Sequence, residues 1–363
     1  MKKIYFNNLN GLRFIAAFAV IIHHIEQYKS TFGYKNIWKL NIISNLGNIG
    51  VQFFFVLSGF LITYLLLKEE NEGGINYRNF IFRRIYRIWP LYFIIIILSF
   101  FIAPLFNILH TPSTPTIFEN FYLKLFCVCL FIPNIIFKVT NAVPLASQSW
   151  SIGVEEQFYI IWPLIIKKIK NPQIYFLGII ILYLILKVLF FKLSIACNDL
   201  KTISGIVNDF SLSGFVLGAI GAYFSYKKKE NILKFITNNS VFRLSLILFL
   251  VLIIYSNSET FYYIGVISIE NEIYCFLFII FIVNFIDKKN LKLSLENRTL
   301  NYLGKISYGL YMYHPICITL ILNIIKSEIN LLIIYPLTFL LTILVSSFSY
   351  KYIEKPFLKL KKY

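Results

Sequence analysis

Charged residues are scarce in this chain, and the cysteine patterns of disulfide-rich or metal-binding domains are absent. Asp, Glu, Lys and Arg make up 14% of the 363 residues, against about 25% in soluble proteins. The five cysteines are an odd number without a C-x-x-C pair, which argues against a disulfide framework or a metal site and indicates small apolar packing residues. No soluble segment is large enough to carry a basic face, so the net charge of +18 does not indicate nucleic-acid binding.

Hydrophobic residues make up 58% of the chain and form runs that are long enough to cross a bilayer. They predict an all-α, polytopic integral membrane protein in which residues 1–363 form a single membrane-embedded domain. We expect about ten transmembrane helices, or eleven if the short run at 121–137 also crosses. Its flanking residues Pro115 and Pro133 favour an interfacial or re-entrant segment. The ten runs lie at about 9–27, 48–67, 88–109, 150–167, 173–191, 206–226, 239–256, 263–286, 303–325 and 331–350.

Basic residues fall mainly on one side of this predicted arrangement. With Lys2 and Lys3 in the cytoplasm, the cytoplasmic segments hold most of the lysines and arginines, and the outer loops hold few. This positive-inside asymmetry predicts cytoplasmic N- and C-termini and explains the net charge as a consequence of topology. The first apolar run lacks a small-residue cleavage site, so we expect an uncleaved first span.

The first apolar run carries an arginine and a histidine on one helical face. Arg13 and His24 are separated by about three helical turns and a rise of about 16 Å, whereas His23 lies about 80° from that line. Ionisable residues inside a membrane helix are costly and indicate a functional site. Arg13, near the inner side, can bind phosphate, and His24, near the outer end, can take a proton from a hydroxyl. The alternatives are a snorkelling arginine and an interfacial histidine.

Two further motifs belong to the second and third helices. Ser58 precedes Gly59. Ser58 is a candidate for a supporting role at a site, and close helix packing by the pair is the alternative. Gly214, Gly218 and Gly221 of a later helix form a similar packing face. Arg84 and Arg87 lie one helical turn apart, beside Trp89, and can converge on one anion. Arginine in place of lysine favours bidentate phosphate contact, although a positive-inside anchor is the alternative.

The helix that follows the long outer loop begins with serines and then carries two acids. Ser149, Trp150 and Ser151 precede Glu155 and Glu156. Serine capping with early acids favoured by the helix dipole is one interpretation. The other is that a carboxylate on the outer side, where His24 also lies, orients the histidine or holds a hydroxyl substrate. The spacing does not decide between the two glutamates.

Polar residues near the end of the chain form two more candidate elements. Ser307, Tyr311 and His314 have i, i+4, i+7 spacing and share one helical face. His314 has the alternative role of bonding the backbone carbonyls that Pro315 leaves free. Glu354 begins the segment Glu354-Lys355-Pro356-Phe357 after the last helix, where a helix stop is the alternative.

Taken in order, these elements resemble the membrane-bound acyltransferase family 3, whose members O-acylate cell-surface carbohydrates. The resemblance covers residues 9–357 and is to the stand-alone form, without a C-terminal hydrolase-like domain. Gln52 stands where the family often has aspartate, so we assign it no catalytic role. The matching elements are R-x10-H (Arg13, His24), FF-x-x-SG (Phe54–Gly59), RxxR (Arg84–Arg87), SWS-x-x-VEEQFY (Ser149–Tyr159), ISY-x-LY-x-xHP (Ile306–Pro315) and EKPF (Glu354–Phe357).

The resemblance implies an enzyme of the bacterial cytoplasmic (inner) membrane that transfers acetyl from cytoplasmic acetyl-CoA to a cell-surface glycan. The acceptor would be a carbohydrate or glycolipid, such as lipopolysaccharide O-antigen, capsule or exopolysaccharide, and no metal is implied. His24 would be the general base or a transient acyl acceptor, assisted by Glu155. The donor phosphates would bind Arg13, Arg84 and Arg87, and the supporting or substrate residues would be Ser58, Trp150, Ser151, Tyr311 and His314.

Two other classes of protein remain open. A transporter of a carbohydrate or lipid precursor also fits ten helices with buried charges, although the sequence has no detectable inverted repeat or paired broken helices. A sensor or scaffold with pH-responsive histidines is the other alternative, but it does not explain the arginine turn beside Trp89.

Overall fold

A computed structural model describes residues 5–169, 172–255, 269–286, 294–325 and 331–361, and these contain helices, turns and loops without a strand. The all-α prediction is therefore confirmed. Lys2, Lys3 and residues 263–268 of one predicted span lie outside the described residues. The helices are α1 (Leu9–Thr31), α2 (Asn41–Glu72), α3 (Tyr77–Ile97), α4 (Phe121–Cys129), α5 (Pro133–Val139), α6 (Ser149–Lys168), α7 (Pro172–Ala196), α8 (Leu200–Asp209), α9 (Leu212–Tyr226), α10 (Glu230–Ile236), α11 (Asn239–Tyr255), α12 (Glu270–Ile286), α13 (Arg298–Lys305), α14 (Ser307–Ile325), α15 (Leu331–Ser349) and α16 (Lys355–Lys359).

Long apolar helices dominate the described part of the chain. Seven helical segments there are long and apolar enough to cross a membrane, and the bent pair α10 and α11 makes an eighth. These are the helices of an integral membrane protein. The predicted count of ten or eleven and the cytoplasmic position of both termini stay predictions. The run at 121–137 is divided into α4 and α5, of nine and seven residues, which are each too short to span a bilayer.

The helices group into two compact units. The first comprises Met1–Ala16, Asn48–Tyr77 and Ile161–Gly304, and the second comprises Ala17–Gly47, Arg78–Ile160 and Lys305–Tyr363. Helix α1 is continuous but contributes to both, because the division falls after Ala16. Arg13 therefore belongs to the first unit and His24 to the second.

Glycines set the packing of α2 against α9 within the first unit. A methyl group on Gly59 would overlap the backbone of Phe215, and one on Gly218 would overlap the backbone of Val56. The two helices therefore approach closely enough for backbone contact, as small residues allow in membrane proteins. This confirms the packing role predicted for Gly218 and explains Gly59, while the neighbouring Ser58 is partly buried in α2.

A polar network is buried in the first unit between its helices. Lys187 Nζ on α7 donates to both carboxylate oxygens of Glu272 on α12, at 2.9 and 3.1 Å. Ser213 Oγ adds a third hydrogen bond to that carboxylate, at 3.2 Å. Gln52 Nε2 donates to Ser211 Oγ at 2.8 Å, which gives Gln52 a structural role. These hydrogen bonds compensate the cost of placing charged and amide groups inside the protein.

Substituting Gly59 by alanine should destabilise the protein, because the added methyl group would collide with the backbone of α9. We expect a loss of about 1–3 kcal/mol in the free energy of unfolding, the range for overpacked cores. Gly178→Ala in α7 is the matched control, since a methyl group there meets nothing within 4 Å and alanine favours a helix. Apparent melting temperatures of the detergent-purified variants test this, and equal values for both would contradict it.

Candidate active site

His24 lies in a cluster of three imidazoles in the second unit. Its ring centroid is 4.8 Å from that of His23 and 4.7 Å from that of His314 on α14. His24 Nδ1 is 2.9 Å from the carbonyl oxygen of Val20. Because a carbonyl can only accept a hydrogen bond, Nδ1 carries the proton in this contact and Nε2 keeps the lone pair. Nε2 is therefore the atom of His24 that can take a proton.

His314 is a fully buried imidazole, with none of its surface exposed. The carbonyls of Leu310 and Tyr311 lie near the ring. Neither ring nitrogen, however, completes a hydrogen bond with any residue that the structure describes. The carbonyl of Tyr311 is the one that Pro315 leaves without its helical partner, and it lies near the ring, so the alternative role at Pro315 stays open. Buried polar groups are normally paired, so His314 has hydrogen-bonding capacity available for a substrate or a water molecule.

Tyr311 connects α14 to the start of α6, one helical turn from His314. Its hydroxyl is 2.7 Å from Ser151 Oγ and donates to the carbonyl of Gln148 at 3.2 Å. Gln148 Nε2 in turn donates to the carbonyl of Met312 at 2.8 Å. The structure thus brings Ser151 and Tyr311 together, as members of one site should be, with Trp150 partly buried beside them. Sequence reasoning missed Gln148, which lies outside the helix and has no periodic pattern to mark it.

Glu155 lies near Arg84, an arginine that we expected on the donor side of the site. Tyr159, one turn along α6, donates its hydroxyl to Glu155 Oε2 at 2.9 Å. The guanidinium of Arg84 lies 5.5 Å from the centroid of the Tyr159 ring and 5.2 Å from that of Phe80. The carboxylate of Glu155 also interacts electrostatically with Arg84. These contacts connect α3 to α6, and the predicted action of Glu155 on His24 stays a prediction.

Glu156 has different surroundings from Glu155. It is buried, at 6% exposure, and its Oε2 accepts a hydrogen bond from Trp89 Nε1 at 3.2 Å. Its Oε1 has no hydrogen-bond partner among the described residues. The structure therefore gives the two glutamates different hydrogen-bond partners, a tyrosine for Glu155 and a tryptophan for Glu156, while Arg84 interacts electrostatically with both.

Glu354 faces the second arginine of the RxxR element. A π-helical turn, Tyr350–Glu354, follows α15 and buries the carboxylate, which is 5% exposed. The carboxylate interacts electrostatically with Arg87. Tyr308 Oη donates to the carbonyl of Ile88, the residue after Arg87, at 3.0 Å. Since π-helical turns often occur at functional sites, this turn is compatible with a functional role of the EKPF element, which stays a prediction.

Arg13 is placed by a short chain of amides in the first unit. Its Nη1 is 3.5 Å from Asn10 Oδ1. Asn10 Nδ2 donates to Asn301 Oδ1 at 3.3 Å, and Asn301 Nδ2 donates to Glu296 Oε1 at 3.0 Å. Arg13 is therefore oriented by its own helix and by α13.

Helix α14 orders the polar groups of the second unit along one line. Tyr308, Tyr311 and His314 are spaced by three residues and contact α3, the start of α6, and α1 respectively. The distance from Tyr308 to His314 along the axis is about 9 Å. Guanidinium groups lie near one end of this line, and imidazoles lie at the other. The protein is therefore a membrane protein with a buried ionisable site.

A comparison with protein families identifies that class more closely. A family model described as an acyltransferase domain matches residues 6–351 and so runs through both units. The chain belongs to this acyltransferase family, as its sequence elements predicted. No solved structure matches the chain at a significant level.

Similar curated proteins carry the names of O-acetyltransferases. A protein of Staphylococcus aureus (strain COL), named provisionally as an O-acetyltransferase, is 30% identical over 99% of this chain. The peptidoglycan O-acetyltransferase OatA of Listeria monocytogenes is 29% identical over 48% of the chain. A Bacillus subtilis protein, named provisionally as a peptidoglycan O-acetyltransferase, is 34% identical over 44% of the chain. The matched region is 58% of the Staphylococcus relative and 26% of the Listeria relative, so the chain spans only part of their length.

A double-mutant cycle on Tyr311→Phe and Ser151→Ala should show strong coupling. Removing either hydroxyl breaks their 2.7 Å hydrogen bond, so the second substitution should cost less than it does alone. We expect a coupling of about 0.5–3 kcal/mol in the free energy of unfolding, measured by denaturant unfolding in micelles. Ser151→Ala with Tyr183→Phe is the control pair, because Tyr183 donates to Val207 in the first unit. Additivity within error for Tyr311 and Ser151 would contradict the network.

Proposed function

We propose that the chain transfers an acetyl group from acetyl-CoA to a hydroxyl of a cell-surface glycan. The observation that carries this proposal is the line of polar groups along α14, with the carbonyl of Ile88, the residue after Arg87, at one end and His24 at the other. Two relatives are named for peptidoglycan O-acetylation. A wall glycan is therefore the first acceptor to test, ahead of lipopolysaccharide, capsule or exopolysaccharide.

The arginines suit the phosphates of an acyl-CoA donor. Arg84 Nε is buried and has no hydrogen-bond partner among the described residues, so this N–H is available to a ligand. A guanidinium presents several donors in a fixed fork that matches phosphate oxygens. Glu155 and Tyr159 orient Arg84, and Glu354 orients Arg87. The part that Arg13 of the first unit plays in donor binding stays a prediction from the sequence.

His24 performs the acyl transfer in this proposal. Its Nε2 takes the proton of the acceptor hydroxyl while the hydroxyl oxygen attacks the carbonyl carbon of the thioester. The carbon–sulfur bond breaks, and the imidazolium returns the proton to the sulfur. Alternatively, Nε2 attacks the carbonyl carbon of the thioester, and the carbon–sulfur bond breaks to release the thiolate of CoA. The hydroxyl oxygen then attacks the acetyl group, the bond from that group to Nε2 breaks, and the hydroxyl proton goes to the thiolate. His314, beside His24, can donate or accept a hydrogen bond at the reacting groups.

His24→Ala should reduce acetyl transfer by about 10²–10⁴-fold, the usual contribution of a positioned general base. Incorporation of labelled acetyl from acetyl-CoA into purified wall glycan measures the effect, at equal protein levels in the membrane. His110→Ala is the matched control, because His110 Nε2 contacts the carbonyl of Pro104 and has no assigned role in the proposed transfer. Full activity of His24→Ala would reject this mechanism. A transporter, by contrast, would give no acetyl-CoA turnover even as the wild type.

Arg84→Lys and Arg87→Lys should each raise the KM for acetyl-CoA by about tenfold, a difference of 1.4 kcal/mol, with a smaller change in kcat. Lysine keeps the charge but loses the bidentate fork. Arg78→Lys on the same helix is the control, because Arg78 lies against the Phe82 ring and has no assigned role. Initial rates at varied acetyl-CoA measure both constants. A donor KM that is unchanged in both variants would remove these arginines from the donor site.

A further inference from the structure

The segment between α1 and α2 places a tryptophan near the imidazole cluster. Trp38 is partly exposed, and its ring centroid is 4.8 Å from that of His23, with the ring planes 67° apart. The His23 ring is in turn 4.8 Å from the His24 ring. An aromatic surface therefore lies one imidazole away from the proposed base.

A buried carboxylate ties this segment to α1. Glu26, with no exposed surface, lies two residues after His24. Its Oε2 accepts a hydrogen bond from the backbone N–H of Ile37 at 2.6 Å. Its Oε1 accepts from Tyr335 Oη at 2.5 Å and forms an ion pair with Lys29. All of these groups belong to the second unit, so the backbone next to Trp38 is fixed to the helix that carries His24.

Local hydrogen bonds fix the tryptophan and the imidazole beneath it. The backbone N–H of Trp38 donates to Asn36 Oδ1 at 3.1 Å, and Asn36 Nδ2 donates to the carbonyl of Tyr34 at 2.8 Å. His23 Nδ1 lies 3.0 Å from the carbonyl of Ile43, and a methyl group on Gly47 would collide with the His23 ring. The surface is therefore prebuilt, and little entropy is lost when a ligand binds to it.

We propose that Trp38 is the platform on which a sugar ring of the acceptor glycan stacks, and this rests on the proposed acetyl transfer. One face of a pyranose ring carries mainly C–H groups and is apolar enough to pack on an indole, whose N–H can still bond a hydroxyl. His23 separates the indole from His24 and so sets the offset between the stacked ring and Nε2. A tryptophan that merely anchored the chain at the membrane interface would not need to contact an imidazole of the site.

The test uses the purified full chain in lipid nanodiscs, with acetyl-CoA and a soluble N-acetylglucosamine oligomer as probes. Trp38→Ala should raise the KM for the oligomer and weaken its binding in calorimetry by about tenfold, as expected when a stacking face is removed. Trp38→Phe should recover most of this loss. In Trp38→Ala, the KM for acetyl-CoA and the rate of acetyl-CoA hydrolysis without oligomer should stay within about twofold of the wild-type values. Tyr122→Ala is the control, since Tyr122 is 85% exposed on α4.

The measurements distinguish a stacking role of Trp38 from an anchoring role at the membrane interface and from a supporting role beneath the imidazoles. Unchanged oligomer binding and KM in Trp38→Ala would overturn the proposal and leave Trp38 as an interface anchor. An equal loss of hydrolysis without oligomer would also overturn it, because Trp38 would then act by supporting the imidazoles. If the wild type neither transfers nor hydrolyses acetyl-CoA, the proposed function fails. In that case, the affinity for the oligomer measured by calorimetry still tests whether Trp38 is the stacking platform, because binding of the oligomer does not depend on acetyl transfer.

Discussion

A polar group inside a bilayer has to be satisfied by the protein or by what the protein binds, because lipid offers no hydrogen bonds. In the first unit, the ion pair of Lys187 with Glu272 meets this requirement internally. In the second unit, within the described part of the chain, His314, Glu156 and Glu354 keep buried atoms without a hydrogen-bond partner. Such atoms are candidates for contacts with a polar substrate.

The second unit depends on α14 for the order of its groups. The side chains of Tyr308, Tyr311 and His314 leave one face of a rigid helix at fixed spacing, and each contacts a different part of the chain. Consequently, the spacing of the points where α14 contacts α3, α6 and α1 is set by helix geometry and does not depend on a loop. An extended donor that is held by its phosphates would need such a fixed distance to present its thioester at His24.

The sequence predicts the parts of the site that follow from periodicity. The shared face of Tyr311 and His314, the packing glycine Gly218 and the short break at 121–137 are all local patterns, and the structure has them. The contact of Tyr159 with Glu155 is also an i, i+4 pair that the sequence already contains. In contrast, Trp89 with Glu156 and Arg87 with Glu354 join residues that are 67 and 267 positions apart in the chain. No local pattern reports such pairs, so the sequence could not choose between the two glutamates.

The adjacent histidines show how one short segment can serve two purposes. Neighbouring side chains on a helix point about 100° apart, so His24 can face α14 while His23 faces Ile43 and Trp38. Both Nδ1 atoms lie against backbone carbonyls, which fixes each ring and leaves each Nε2 with its lone pair. Replacing His23 by an aliphatic residue would keep the base but would remove the rigid spacer between the base and the tryptophan. In the proposed mechanism, His24 is therefore the base and His23 its spacer, and the two histidines are not interchangeable.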